Sequence, residues 1–312
     1  MSRIFPRTIP LLIALLLALP TAQAAAPITI VASVPPVHAL VAGVMEGVGT
    51  PHLLIRGGAT PHAGALRPSD ARRLQDARAV FWIGEGLETY LTRPLASLTR
   101  QGRVIALMGI KDLRLLPFRE GENWDKPADH LDHDHQGPHG IDAHIWLDPG
   151  NAKILVRAIA GKLKMVDPTH AARYTANAIA LQDRIDALDQ SLTRLLAPLR
   201  GVPYIVFHDA YQYFERHFGL MPAGAIALSP TRAPGARHLQ TIRDRLRSTG
   251  ARCVFVEPQF TPRLASIIIE GTGAKIATLD PLGAALRPGK DTYFTLMQNL
   301  ATALSACLNP KP

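Results

Sequence analysis

The chain has 312 residues, a formal net charge of +9 and only two cysteines. It is long for one hydrophobic core and suits two domains of about 100 to 150 residues each. Its positive charges are rich in arginine and scattered along the sequence. This pattern favours a solvated surface over a nucleic-acid interface, so we expect no nucleic-acid partner.

Residues 1–26 have the order of a secretory signal peptide. Arg3 and Arg7 precede an apolar run over residues 9–19, and the small residues Ala22 and Ala24 follow. The run is too short to span a bilayer comfortably, and no later stretch is long and apolar enough to do so. We therefore expect a soluble, exported protein whose leader is cleaved near residue 24 or 26.

A first series of alternating strands and helices occupies residues 27–166. Apolar β-rich runs predict strands at 28–34, 52–55, 79–83 and 104–107, and helical patterns lie at 39–45, 68–77, 85–99 and 148–165. Ser69 is a plausible cap of the second helix. Such alternation indicates a mostly parallel sheet that helices cover on both faces.

The clearest helical periodicity lies within residues 167–200. Apolar residues recur there at alternating steps of four and three, at Tyr174, Ala178, Leu181, Ile185, Leu188, Leu192, Leu195 and Leu199. This stripe predicts one helix of about thirty residues, hence about 45 Å long. A single crossover needs less length, so we interpret the helix as a rod that joins two lobes.

A second alternating series occupies residues 201–312. Strands are predicted at 204–207, 221–226, 253–256 and 275–279, with helices at 211–217, 235–249, 262–272 and 293–308. The whole chain is therefore predicted as an α/β protein of two doubly wound lobes with parallel sheets, joined by one long linker helix, with a cleft between the lobes. Cys253 and Cys307 are expected to form one disulfide between a strand and the last helix, with metal binding as the alternative.

Five of the twelve histidines lie between residues 130 and 144. Residues 129–140 alternate imidazole and carboxylate among Gly and Pro, a composition that cannot bury a core but can hold metal ions. The histidines of this loop either form a weaker, secondary zinc site or belong to a hydrophilic linker without a metal role; they are His130, His133, His135 and His139. His144 lies in an apolar stretch just before Asp148-Pro149, a pair that begins a helix.

Four possible metal ligands occupy equivalent places in the two predicted lobes. His62, His208 and Asp280 each follow a predicted strand, and His144 precedes a helix start. Ligands of doubly wound sheets bind outside the carboxyl ends of the strands. Three imidazoles and one carboxylate are ligand types that zinc prefers. We therefore predict one Zn²⁺ in the cleft between the lobes. His38, just beyond the first strand, is expected in a loop, with a place lining the cleft as the alternative.

Five motifs surround these positions: residues 58–62 with 66–70, 142–149, 206–211, 257–260 and 279–283. Together they resemble the zinc-binding periplasmic proteins of high-affinity ABC importers, the ZnuA type, over the whole mature chain. The resemblance implies two α/β lobes joined by a long helix, one metal in the cleft, a His-rich loop before the second ligand, a periplasmic location and a membrane permease as partner. The matching ligand positions are His62, His144 and His208.

The resemblance leaves the fourth ligand open. Some members have Glu immediately before the first ligand, where this chain has Pro61, so Asp280 or a water must complete the site. Manganese importers of the family typically have Glu as the third ligand. His208 at that position favours zinc, because a nitrogen ligand replaces a hard oxygen. Glu257 either orients an imidazole or has a purely structural part.

We expect a monomeric binding protein and not an enzyme. The rival interpretation is a secreted zinc hydrolase, in which three histidines leave a position for an activated water. The chain has no His-Glu-x-x-His sequence and no Gly-x-Ser-x-Gly turn to support it. A third interpretation is a periplasmic zinc buffer or a metal-dependent adhesin without a transporter partner.

Overall fold

A computed structural model describes residues 28–119, 140–227 and 234–309. The predicted signal peptide lies outside the described residues, and so do His130, His133, His135 and His139. Within the described ranges, none of the helices has both the length and the apolar surface that a bilayer crossing requires.

The first half of the chain forms a parallel four-stranded sheet. Its strands are β1 (Ile30–Ala32), β2 (His52–Leu53), β3 (Ala79–Trp82) and β4 (Val104–Ala106), in the spatial order β2-β1-β3-β4. The helices of this half are α1 (Pro35–Val44), α2 (Pro68–Asp76), α3 (Thr92–Arg100) and α4 (Pro149–Val166). Every residue of β1 and β3 is buried, as expected for central strands covered on both faces.

The second half repeats this plan after the long helix α5 (Ala171–Leu196). Its strands are β5 (Ile205–His208), β6 (Gly224–Ala227), β7 (Cys253–Val256) and β8 (Lys275–Thr278), all parallel, in the order β6-β5-β7-β8. The helices are α6 (Gln212–Phe218), α7 (Ala236–Thr249), α8 (Arg263–Ile269) and α9 (Thr292–Leu308). The prediction of two α/β lobes with parallel sheets is confirmed.

Helix α5 carries the predicted apolar stripe and buries it. The residues of the helix that are buried are Tyr174, Ala178, Leu181, Ile185, Leu192 and Leu196. They face α1 and α4 of the first half and α9 of the second half. The helix is therefore packed along both halves instead of crossing open solvent between them, and it holds their relative position through a shared apolar core.

Two local predictions were wrong because proline can begin a helix. Pro35 and Pro36 occupy the first turn of α1, where their missing N–H groups have no intrahelical partner to lose. The helix thus includes His38, which is buried with its Nε2 atom 3.0 Å from the Pro51 carbonyl, and not in a loop. Pro68 likewise begins α2, so Ser69 lies inside the helix and is not its cap.

The predicted disulfide is present. Cys253 at the start of β7 is bonded to Cys307 near the end of α9, with a Cα–Cα distance of 6.2 Å. The bond fastens the last helix to a central strand of the second sheet.

Candidate metal centre

Two neighbouring strands bring His208 and Glu257 together. His208 is the last residue of β5, and Glu257 directly follows β7, the strand that pairs with β5. The Nδ1 atom of His208 donates to a carboxylate oxygen of Glu257. A carboxylate only accepts, so the proton resides on Nδ1 and the lone pair of Nε2 is available. This Nε2 atom is buried and has no hydrogen-bond partner in the part of the chain that the structure describes.

His144 is held by a carboxylate in the same manner. Asp142 accepts from the backbone N–H of His144 at 3.0 Å and from its Nδ1 atom at 2.7 Å, which again leaves Nε2 free. The hydroxyl of Tyr213, in α6 of the second half, donates to the carbonyl of Asp142 at 2.9 Å. A carboxylate that fixes the tautomer and the ring orientation is the usual outer partner of a metal-bound imidazole.

His62 lies in the loop that follows β2 and is only partly buried. Its backbone N–H donates to the hydroxyl of Thr60 at 3.3 Å. No carboxylate contacts its ring among the described residues. His62 is thus the one imidazole of this site without an outer carboxylate in the described ranges.

The three imidazoles converge on one point. Their ring centroids lie 5.4 to 5.8 Å apart, and one nitrogen from each ring lies within 4.8 Å of the other two. Imidazoles of both halves therefore meet in the cleft. Since zinc binds imidazole nitrogen at about 2.0 to 2.1 Å, one ion can contact all three rings after small side-chain rotations.

The structure does not bring Asp280 into this group. Its Oδ1 atom accepts from the backbone N–H groups of Leu282 and Gly283, both at 3.0 Å, and its Oδ2 atom accepts from Ala284 at 2.7 Å. The carboxylate thus organises the turn after β8. Both of its oxygens already have partners, although each could accept a further interaction.

Burial and neighbouring charges set the protonation of the cluster. Burial, together with the nearby His144 and His208, lowers the pKa of His62 to about 2, so this ring stays neutral. Burial also opposes a charge on His208, but the adjacent Glu257 carboxylate outweighs it and raises the pKa of His208 above its ordinary 6.5. Of the His62 and His208 rings, His208 is therefore the one at which protons compete with a metal ion.

The imidazoles line a small cavity of about 10 Å³, which is bounded otherwise by Thr60, Pro61, Glu257, Gln259, Phe260, Pro281 and Leu282. This is about the space that a single water molecule needs, and it is far below the range of about 300 to 1,000 Å³ that is usual for small-molecule sites. Sequence reasoning gave no role to Asp142 or Gln259. The two-residue step from Asp142 to His144 is a signal that could have identified the first, whereas the position of Gln259 depends on the tertiary fold.

The chain is similar in sequence and fold to known zinc-uptake proteins. The family model described as ZnuA, zinc-uptake complex component A periplasmic, matches residues 30–307. The high-affinity zinc uptake system protein ZnuA of Brucella suis biovar 1 (strain 1330) is 43% identical, with 90% of this chain and 91% of that protein covered. The protein of the same name from Yersinia pestis is 36% identical, with 95% of each covered.

A solved structure described as the crystal structure of ZnuA is 25% identical to the chain and superposes with a TM-score of 0.76, covering 91% of this chain and all of that one. Sequence and architecture therefore agree. The chain belongs to the ZnuA family of periplasmic zinc-uptake proteins.

Proposed function

We propose that the mature protein is a periplasmic receptor that captures Zn²⁺ in its cleft and delivers it to the membrane permease of an ABC importer. The observation that carries the proposal is the convergence of His62, His144 and His208 from both halves of the chain. The relatives named high-affinity zinc uptake proteins support zinc as the cargo. The leader at residues 1–26 would provide export.

In this proposal the Nε2 atoms of His144 and His208 and one nitrogen of His62 bind the ion, and Asp280 or a water occupies the fourth position. The carboxylates of Asp142 and Glu257 accept hydrogen bonds from the Nδ1 atoms of His144 and His208. Their two negative charges balance the charge of a divalent cation that neutral imidazoles cannot offset. Imidazole as the third ligand favours zinc over manganese.

Metal analysis of the mature protein, with and without residues 129–139, tests the proposal. A transport receptor keeps one tightly bound zinc after the deletion, whereas a buffer loses most of its capacity. Gly140 is retained because its carbonyl accepts from the Phe118 N–H at the base of the segment. A second variant, with His130, His133, His135 and His139 replaced by Asn, keeps the length and is the control. A stoichiometry of zero in both variants would show that the three cleft histidines do not hold the metal.

Zinc affinity is expected to fall as the pH drops, because protons compete with the metal for imidazole nitrogen. Burial opposes protonation of His208, but Glu257 raises its pKa above 6.5, while the pKa of His62, about 2, keeps that ring neutral. One competing proton predicts a loss of about tenfold per pH unit between neutral pH and about pH 5. Chelator competition over this range measures the slope, and a flat profile would contradict an imidazole site.

The variant Glu257→Gln provides a matched test of this pH dependence. Without the carboxylate, the pKa of His208 is lower, so the decline in affinity should begin at a lower pH than in the wild type. The overall affinity at pH 7.5 should also decrease, by about 10- to 100-fold, because the amide is a poorer partner for the metal-bound ring.

The hydrolase interpretation has less support. A hydrolase needs a general base next to its zinc-bound water. Glu257 and Asp142, which contact the cleft imidazoles, are both engaged with imidazole Nδ1 atoms. The small cavity also leaves little room for an organic substrate. Turnover of esters or peptides by the zinc-loaded protein would favour the hydrolase.

A further inference from the structure

The three imidazoles leave one coordination position of a tetrahedral zinc ion to be filled. Three side chains with oxygen atoms, those of Glu257, Asp280 and Gln259, lie on the two segments that follow β7 and β8. Glu257 is engaged by His208 Nδ1. Asp280 accepts three backbone N–H groups of its own turn and does not line the cavity. Gln259 does line it.

The amide of Gln259 has an unusual environment. Its Oε1 and Nε2 atoms are both buried, and neither has a hydrogen-bond partner among the described residues. Buried amides are nearly always paired, because an unpaired one destabilises the fold. An amide that lines a metal cleft without a protein partner therefore indicates a partner that arrives with the metal.

The backbone around Gln259 is firmly held. The N–H of the next residue, Phe260, donates to the carbonyl of Glu257 at 3.1 Å, which closes a turn around Gln259. The ring of Phe260 stacks on Phe207 with centroids 4.5 Å apart, and its edge faces His208 at 6.0 Å. The position of the amide is thus tied to the strand that carries a ligand.

We propose that Gln259 is the positioning residue for a water that completes the coordination of zinc, with its carbonyl oxygen accepting a hydrogen bond from that water. The inference rests on the proposed function and chooses between the two candidates for the fourth position. An amide accepts a hydrogen bond but does not take up the proton at neutral pH. Gln259 therefore holds the water as a ligand without activating it, which suits a cargo site better than a hydrolytic one.

Two variants separate the candidates for the fourth position. Gln259→Leu keeps the approximate size of the side chain and removes its hydrogen-bonding groups. Asp280→Asn keeps one oxygen for the N–H groups of Leu282 and Gly283 but is a poor metal ligand. Gln259→Leu should still bind one zinc, with an affinity lowered about 10- to 100-fold, the usual effect of losing an outer partner. Asp280→Asn should bind zinc within about twofold of the wild type, because Asp280 does not line the cavity and the amide oxygen can still accept from Leu282 and Gly283, although the bond from Ala284 is lost.

Cobalt provides a readout that a structural role would not change. Azide replaces a metal-bound water, so it should alter the visible absorption of the Co²⁺-loaded wild type and of Asp280→Asn. A wild-type spectrum that does not respond to azide, together with a tenfold or greater loss of zinc affinity in Asp280→Asn, would overturn the proposal in favour of Asp280 as the ligand. An unchanged zinc affinity in Gln259→Leu would also overturn it.

Thermal unfolding of the metal-free variants shows whether Gln259→Leu folds like the wild type. Gln259→Glu is the conservative rescue, since it keeps the shape and the acceptor, and it should restore affinity to within about fivefold of the wild type. An affinity as low as that of Gln259→Leu would contradict the inferred role. If the wild type itself binds no zinc, the proposed function fails. If the wild type binds zinc tightly and the Gln259 variants bind it with the same affinity, only the inference about Gln259 is rejected.

Discussion

Replacing His208 by alanine is expected to lower the zinc affinity of the protein by more than about 100-fold, because loss of an outer partner alone costs about 10- to 100-fold and His208 is a direct ligand in the proposed site. The substitution removes the Nε2 atom that is buried and unpaired within the described residues. It also leaves Glu257 buried without its imidazole partner, which adds a destabilising term. Titration against a chelator of known affinity measures the change.

The zinc-dependent stability of the protein gives an independent measure of the same substitution. Binding only to the folded state stabilises it by about 2.7 kcal/mol when free zinc is 100 times the dissociation constant. Zinc should therefore raise the melting temperature of the wild type but not that of His208→Ala. His170→Ala is the matched control, since His170 is half-exposed and is paired with Asp167 at 2.7 Å, outside the cluster of three histidines. Equal zinc responses of both variants would contradict His208 as a ligand.

The alternating pattern was sufficient to predict the fold because each strand and each helix has a recognisable local pattern of apolar residues. The central strands are short, continuously apolar runs, because helices cover both of their faces. In the helices between them, apolar residues recur every three to four positions. The stripe from Tyr174 to Leu199 predicted α5 because it faces one continuous core. The helix is shorter than predicted, since 3-10 turns at 168–170 and 197–199 flank it.

The convergence of the histidines could be predicted for a similar reason. Carboxyl ends of parallel strands meet at one edge of a sheet, so residues at or just after strand ends, such as His208 and Glu257, share a location. The start of α1 at the pair Pro35-Pro36 was harder to place, and His38 was therefore assigned to a loop although it lies in α1. Roles that depend on a tertiary contact, such as that of Gln259 at the cleft, leave no periodic signal in the sequence.

The prediction that Asp280 is a ligand shows how one residue at one position can fit two roles. Its place after a strand predicts a ligand, but a carboxylate followed by a tight turn can equally accept the N–H groups of that turn. Gly283 adopts a φ of +66° in this turn, a conformation that side chains other than glycine rarely adopt. The competing local interaction only becomes visible once the backbone conformation is known.

Trp146 should have the largest effect on stability of the residues near the site. The side chain is fully buried, and its Nε1 atom donates to the Pro281 carbonyl at 2.9 Å. Its own carbonyl accepts from the hydroxyl of Tyr293 at 3.1 Å, and its ring lies 5.2 Å from that of His144. Trp146 thus joins the ligand-bearing turn of the first half to two segments of the second.

Replacing Trp146 by alanine is expected to lower the free energy of unfolding by about 3 to 5 kcal/mol through the cavity that it leaves. The Pro281 carbonyl would lose its partner as well, which adds about 1 to 3 kcal/mol if the carbonyl stays buried. Because native proteins are stable by only about 5 to 15 kcal/mol, this variant should be close to unfolding at 37 °C. Urea unfolding of the metal-free protein provides the measurement.

Phenylalanine at the same position separates packing from hydrogen bonding. Trp146→Phe keeps an aromatic ring but loses the bond to Pro281, so it should be less destabilised than the alanine variant. The matched control is Trp82→Phe, because Trp82 is also buried but its Nε1 atom has no partner among the described residues. We expect Trp146→Phe to lose about 1 to 3 kcal/mol more than Trp82→Phe, because only the Trp146 variant leaves a buried carbonyl, that of Pro281, without its partner. Equal losses would mean that the indole stabilises the joint between the halves by packing alone, and that the bond to Pro281 contributes nothing measurable.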